Sequence, residues 1–289
     1  MRLDPAAQSA GFRVAAYEIL PSTNAEALRR AGERPDDTRP LWITARTQTA
    51  GRGRRGNAWQ SPPGNLYATL LLHDPAPPRL VPGLSFLAAL AVCDAILDRA
   101  PGLREKLQLK WPNDVLCAGG KLAGILLEGH SLGERLVMNE KLAVAVGIGI
   151  NCAHHPLETA YPATDLLAAG VNVSVEDVFS ALSLSMMRRL AQWRRGEGFA
   201  AIRSAWLARA CGIGGQMRAR LPGRELCGRC EGLDPDGRLL LRLADGSLET
   251  IAAGDVFPLA GGARPSRCRE QKTLEQKTLE QKNRADGAK

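Results

Sequence analysis

Apolar and polar positions alternate over Phe12 to Leu20, which predicts a strand. Pro21-Ser22-Thr23-Asn24 then opens a helix running through Leu28 and Ala31, with Thr23 and Glu26 spaced as a capping box. Leu41 to Thr47 and Asn65 to Leu72 predict two more strands, separated by a loop rich in glycine and arginine from Gly51 to Gly56. Leu84 to Arg99 has the length and periodicity of a helix. Strands follow at Leu107 to Trp111, Val115 to Cys117, Lys121 to Glu128 and Leu142 to Ile150. Turn signals at Asn113-Asp114 and Gly119-Gly120 fall between them. Val175 to Arg194 and Phe199 to Arg209 are helical in pattern. After Gly212 the texture changes. From Gln216 to Pro258 short strands are broken by Pro222-Gly223, by the Asp234 to Gly237 turn and by Asp245-Gly246, which predicts a small barrel. Beyond Pro258 the chain is Gly/Pro-rich and then repeats EQKTL, a period of five that builds no apolar seam. This tail is expected to be solvated and functionally silent.

Composition narrows the classes. With 289 residues, 45% hydrophobic and 24% charged, the chain can bury one large core and a smaller second one. Aromatics are only 4%, so the core is expected to rest on Leu, Ala, Val and Ile. No stretch approaches the roughly 18 uninterrupted apolar residues of a membrane span. The richest, Leu84 to Leu97, carries Ser85 and Asp94 and is expected to be a buried helix. The N-terminus has no apolar run, which argues against a secretory signal. Seven scattered cysteines form no disulfide framework, and a reduced, cytoplasmic protein is expected. The formal charge is +8, but eight Lys/Arg against four Asp/Glu from Gly261 onward place +4 of it in the tail. A uniformly basic binding face is not required.

Three segments carry candidate chemistry. Gln48 to Gly56 contains G-x-G-x-x-G, yet a dinucleotide turn must pass from strand straight into helix, and here another strand follows. The Rossmann reading fails on context. What remains is either an exposed basic loop or a loop whose glycines admit a ligand and whose Arg52, Arg54 and Arg55 grip anions in bidentate fashion. Lys110 to Asp114 is either an ordinary Asn-Asp turn or a cation and a carboxylate placed for a nucleotide. In the second case Asp114 would hold a Mg²⁺ ion bridging the phosphates. Lys121 leads into an apolar strand, where its charge is either solvated or paired with an anion. Asn151 ends a strand with an amide suited to a turn or to a sugar or base edge.

Together these segments resemble the biotin protein ligase family over nearly the whole patterned chain. The matching stretches are PSTNAEA (Pro21 to Ala27), TQTAGRGRRG (Thr47 to Gly56), SPPGNLY (Ser61 to Tyr67), KWPNDV (Lys110 to Val115), GKLAGILLE (Gly120 to Glu128) and GIGIN (Gly147 to Asn151), in the family's order. The resemblance implies an α+β protein: a mixed-sheet catalytic domain of the biotin/lipoate ligase type over residues 1–211, a small SH3-like β-barrel over 212–260, and a disordered tail over 261–289. It implies an ATP-dependent enzyme that converts biotin to biotinyl-5′-AMP, releasing pyrophosphate. The biotin would then pass to one lysine of a biotin carboxyl carrier protein, that of acetyl-CoA carboxylase. ATP and biotin are the implied substrates, with Mg²⁺. Ser22, Thr23, Asn24, Gln48, Arg52, Gly53, Arg54 and Lys121 are implied on the biotin side. Arg52, Arg54, Arg55, Trp59, Lys110, Asn113, Asp114 and Asn151 are implied on the ATP and adenylate side, with Lys121 and Arg54 closest to the chemistry. One departure is Asn57, where many relatives carry a basic residue after the last loop glycine. Phosphate contacts would then fall to Arg54 or Arg55.

Other readings have less support. Some members of that family carry an N-terminal DNA-binding module, and the dozen or so residues before the first strand do not supply one, so no specific DNA binding is expected. No membrane partner is expected either, and a homodimer is left open. A lipoate ligase shares the fold and the acyl-adenylate chemistry, but GRGRRG beside KWPND favours biotin. His73, His130, His154 and His155 lack metal-ligand spacing and are expected in loops or on the surface. Cys227-Gly-Arg-Cys230 has no partner pair for zinc and is expected to consist of incidental thiols.

Overall fold

A computed structural model describes residues 1–33, 37–132, 141–159 and 161–259. The predicted tail and its EQKTL repeat lie outside the described residues. The chain divides into two compact units, one spanning Met1–Ala210 and the other beginning at Cys211.

The first unit is built on a seven-stranded sheet of β1 (Arg13–Leu20), β2 (Leu41–Gln48), β3 (Leu66–His73), β4 (Leu107–Lys110), β5 (Asp114–Cys117), β6 (Gly120–Ser131) and β7 (Leu142–Ile150). Their spatial order is β1-β2-β3-β7-β6-β5-β4. Only β1 and β2 run parallel, joined through α2 (Thr23–Gly32); every other neighbour is antiparallel. The sheet is therefore mixed, as the resemblance implied. Most boundaries fall within one or two residues of the pattern. The strand β6 is longer, because Gly129, His130 and Ser131 still pair with Val144, Ala143 and Leu142. His130 lies on that strand with an exposed side chain, on the surface as expected, whereas His73 sits half-buried at the end of β3. A five-residue helix, α1 (Pro5–Ser9), capped by Asp4, went unpredicted.

The helix α2 is capped by Ser22, whose Oγ accepts from the Ala25 amide at 3.4 Å. The expected Thr23–Glu26 box does not form. Thr23 is already helical, and the Glu26 carboxylate accepts from Arg29, Arg30 and Tyr17 instead. On the sheet's other side lies α3 (Leu84–Arg99), against which α4 (Val175–Trp193) and α5 (Phe199–Leu207) pack. Twelve of the sixteen residues of α3 are buried, because sheet and helices cover it all round. Two of its polar residues are partnered away from the helix: Ser85 donates to the Pro112 carbonyl and Asp94 pairs with Arg189 at 2.6 Å. The core rests on Leu, Ala, Val and Ile, as expected. Several of its few aromatics pair edge-on, Phe86 with Phe199 and Trp206, and Trp42 with Phe179.

The second unit is a five-stranded antiparallel sheet of β8 (Gln216–Leu221), β9 (Arg224–Leu233), β10 (Leu239–Arg242), β11 (Leu248–Ile251) and β12 (Asp255–Pro258), in the order β11-β10-β9-β8-β12. The long β9 pairs with β8 at one end and β10 at the other, with a bulge at Leu240/Leu241, the device that curls a small sheet into an SH3-like module. Cys230 is a free, fully buried thiol, as expected of an incidental cysteine.

Candidate active site

The site lies on the α2 side of the first unit's sheet, where β6 and β7 are stripped of side chains. Gly124 on β6 pairs with Gly149 on β7, and Gly147 lies two residues back on the same face. A Cβ at Gly149 would stand 2.6 Å from the Trp59 indole, and one at Gly147 would stand 2.2 Å from Asn24 Oδ1. These glycines give the indole and the amide direct contact with the sheet backbone. The alternating glycines of GIGIN are the sequence signal for this bare floor.

The Gly/Arg segment is a closed hairpin rather than a slack loop. Arg52 and Ala58 form an antiparallel bridge, the Gly53 amide donates to the Asn57 carbonyl at 2.7 Å, and Trp59 N–H donates to the Gly51 carbonyl at 2.9 Å. Arg55 sits at the tip with a left-handed φ of 56°, and Asn57 closes the turn. The hairpin returns Trp59 over the floor, and the Lys121 ammonium lies 5.4 Å from its ring centroid. Arg54 donates to Asn113 Oδ1 at 3.0 Å, while Asn113 Nδ2 donates to the Ile125 carbonyl at 2.7 Å. The arginine-bearing segment and Lys121 thus converge on one face of the sheet.

Lys121 is held from behind. Its amide donates to the Pro162 carbonyl at 2.7 Å, and its own carbonyl accepts from Thr164 N–H at 3.0 Å and from Asn151 Nδ2 at 3.4 Å. Asn151 also donates to the Thr164 carbonyl at 3.0 Å, so its amide braces the lysine backbone. The strand pair β4–β5 sets Lys110 opposite Asp114. The buried Asp114 carboxylate lies 2.7 Å from the Lys121 ammonium and 3.5 Å from that of Lys110. The Lys121 contact is a close ion pair outside hydrogen-bond alignment. Lys110 is itself buried, its ammonium 4.3 Å from the centroid of the Tyr161 ring. Neighbouring Cys152 is no nucleophile, since burial pushes its thiol up to about 12.

The α2 end of the site is a hydrogen-bonded chain. Gln48 Oε1 accepts from the Thr23 amide at 2.8 Å and lies 3.1 Å from Thr23 Oγ1; its Nε2 donates to Ser61 Oγ at 3.0 Å, and Ser61 donates to the Trp59 carbonyl. An amide N–H can only donate, so the Gln48 atom facing it is the oxygen. Thr69 Oγ1 lies 2.6 Å from Asn24 Oδ1 and 2.8 Å from Thr23 Oγ1. Its single proton goes to the amide oxygen, which can only accept. Asn24 Nδ2 donates to Glu128 Oε2 at 2.8 Å and to the Leu126 carbonyl at 3.3 Å, and Arg52 donates to the same Glu128 oxygen at 3.1 Å. Sequence reasoning missed Ser61, Thr69 and Glu128 as members of the site. Ser61 and Glu128 lay inside quoted motifs, while Thr69, in an apolar strand, left no signal. Ser22 remains the helix cap, and Arg55 stays at the hairpin tip.

Four cationic side chains (Arg52, Arg54, Lys110, Lys121) thus surround the bare floor against two carboxylates, Asp114 and Glu128. The surplus positive charge suits a ligand bearing a phosphate or a carboxylate, and the polar chain beside it suits a neutral hydrogen-bonding head.

Residues 18–151 match the Biotin/lipoate A/B protein ligase family, and residues 212–257 match the Biotin protein ligase C terminal domain. Among curated proteins, the biotin–[acetyl-CoA-carboxylase] ligase of Paracoccus denitrificans is 43% identical over 242 residues, covering 82% of this chain and 96% of that one. The enzyme of the same name from Mycobacterium tuberculosis is 35% identical, covering 82% and 86%. Among solved structures, the biotin protein ligase of Aquifex aeolicus in complex with biotin and ATP shares the fold, with a TM-score of 0.69 at 24% identity over 86% of this chain and 99% of that one. The chain belongs to the biotin protein ligase family, a family of ligases.

Proposed function

We propose that the protein activates biotin with ATP and transfers it to one lysine of a biotin carboxyl carrier protein, that of acetyl-CoA carboxylase, in the cytoplasm. The observation that carries this reading is the convergence of the Arg54–Asn113 and Trp59–Lys121 contacts over the glycine floor.

In the first step a biotin carboxylate oxygen attacks the α-phosphorus of ATP. The bond to the bridging oxygen breaks, pyrophosphate leaves, and biotinyl-5′-AMP forms. The protein's task is to align two mutually repelling anions and offset the charge that develops, which needs cations in fixed places rather than a nucleophile. Lys121, its backbone clamped by Pro162 and Thr164, reaches the carboxylate and the α-phosphate; Arg54 closes from the hairpin side. Thr23, Asn24 and Gln48, with Ser22 capping their helix, present the polar chain to the ureido ring. Trp59 covers the intermediate, with Arg52, Gly53 and Arg55 in the hairpin above it. In the second step the carrier lysine, as a free amine, attacks the acyl carbon. AMP departs with the bonding electrons, and the new amide nitrogen loses its proton.

Asp114 does not fit as a magnesium ligand, since lysine ammonium groups stand within 3.5 Å of both carboxylate oxygens. Among the described residues, no group of three or more His, Cys, Asp or Glu is placed to hold a metal ion. Mg²⁺ belongs to the substrate, carried on the ATP phosphates, and Asp114 instead orients Lys121 and Lys110.

The test is mass spectrometry of a carrier domain after incubation with the protein, ATP and either biotin or lipoate. One added biotinyl group is expected and no lipoyl group; lipoylation, or no adduct, would reject the reading.

A further inference from the structure

Thr69 is the one polar side chain in the apolar run Ala68 to Leu72 of β3, and it is fully buried. It pairs across the sheet with Gly147, over which the Asn24 amide is wedged. That amide has one orientation. Its Nδ2 faces the Glu128 carboxylate and the Leu126 carbonyl, which only accept, so Oδ1 faces Thr69 at 2.6 Å. The Thr69 proton is thereby committed to Asn24. The 2.8 Å contact between the Thr69 and Thr23 hydroxyls then needs its proton from Thr23. The other oxygen in reach of that proton, Gln48 Oε1, is farther at 3.1 Å and already accepts from the Thr23 amide. The Thr23 hydroxyl is thus turned inward and shows only lone pairs to the pocket.

We propose that Thr69 is a positioning residue for specificity: it takes the Thr23 proton and so makes Thr23 an acceptor for a ligand N–H. The inference rests on the ligase reading, in which Thr23 faces the ureido ring, whose two nitrogens each carry a hydrogen. A ligand with an oxygen in that place sets two bare oxygens against each other. Turning the Thr23 proton outward would leave the Thr23 and Thr69 oxygens 2.8 Å apart with no proton between them. Without the Thr69 hydroxyl, the same turn gives up only the longer bond to Gln48. Thr69 touches no reacting atom in this account.

The experiment measures pyrophosphate release with biotin and with its two cyclic carbamates, each carrying a ring oxygen in place of one ureido N–H. The parent is expected to prefer biotin over one carbamate by at least about 30-fold in kcat/KM, since a buried acceptor that loses its donor is left unpaired. In Thr69→Val that preference should fall by about tenfold, while Thr69→Ser, which keeps the hydroxyl, should stay within about twofold of the parent. Thr69→Ala, which also lacks the hydroxyl, carries the same comparison should valine crowd Asn24. A merely structural role for Thr69 would weaken the use of biotin and carbamate alike and leave the preference unmoved. That result, in variants with the parent's circular dichroism, would overturn the inference, and so would a parent that uses both carbamates as readily as biotin. A parent that releases no pyrophosphate with biotin fails the ligase reading and this inference together; an unmoved preference in an active enzyme fails the inference alone.

Discussion

At the scale of single residues, the site depends on one ammonium and one indole. Lys121 is braced through its backbone by Pro162, Thr164 and Asn151, so removing its side chain leaves the strand pairing in place. Lys121→Ala is expected to lower biotin-dependent pyrophosphate release by at least about 100-fold, as loss of a preorganised charge stabiliser does. Its circular dichroism should match the parent's; near-parental release would remove Lys121 from the mechanism. Gly149→Ala probes the floor instead. The new methyl meets the indole at 2.6 Å, and Trp59 must leave the sheet. Trp42, Trp111, Trp193 and Trp206 are all buried, so a red shift in tryptophan emission reports on Trp59. An unshifted spectrum would mean the glycine floor is not what seats the ring. Much of this was legible beforehand. Lys121, Arg54 and Trp59 stood in motifs of distinctive composition. Thr69 and Glu128 could not be assigned, because their meaning lies in partners 45 and 76 residues away.

At the scale of elements, pattern located every long strand and helix, and local chemistry decided the ends. Ser22, Thr23 and Glu26 all carry cap-competent groups, and sequence alone does not say which is used. The choice was made by Tyr17 on β1 together with Arg29 and Arg30, which recruit Glu26 sideways. The same cluster gives α2 an acid sensitivity. The hydrogen bond from Arg29, with those from Arg30 and Tyr17, outweighs burial and holds the Glu26 carboxyl at about 2, against 4.5 ordinarily. A depressed folded value means that its stabilisation is complete above about pH 4.5 and is lost as pH falls from there through 2. Glu26→Gln should therefore cost about 1 kcal/mol near neutrality, for partly exposed partners, and should flatten the acid limb of a denaturation series. An unchanged limb would show that Glu26 is not the titrating group. The helix α3 makes a different demand. Leu90 is fully buried between sheet and helices, and Leu90→Ala should cost about 2–5 kcal/mol by calorimetry; a loss under about 1 kcal/mol would contradict the packing.

At the scale of the whole molecule, charge separates into two populations with different work. The arginines and lysines around the glycine floor are set against only Asp114 and Glu128, and fixed charge there would act on an anion bound over the floor. Residues 261–289 carry eight Lys/Arg and four Asp/Glu, half of the formal +8, in a sequence with no apolar seam. If charge in that segment acts only at long range, it should govern non-specific attraction to polyanions and leave catalysis alone, because exposed charges are screened beyond about 8–10 Å at ordinary ionic strength. A variant ending at residue 260 is expected to elute from heparin at clearly lower salt, while its kcat and KM for biotin and ATP stay within about twofold of the parent at 0.15 M salt. Unchanged elution would place the polyanion affinity in the site arginines, where it would compete with ATP. A fall in kcat would give the tail a role in carrier recognition that its composition does not suggest. The two measurements move independently only if the basic character of this chain serves binding in the cavity and solvation outside it.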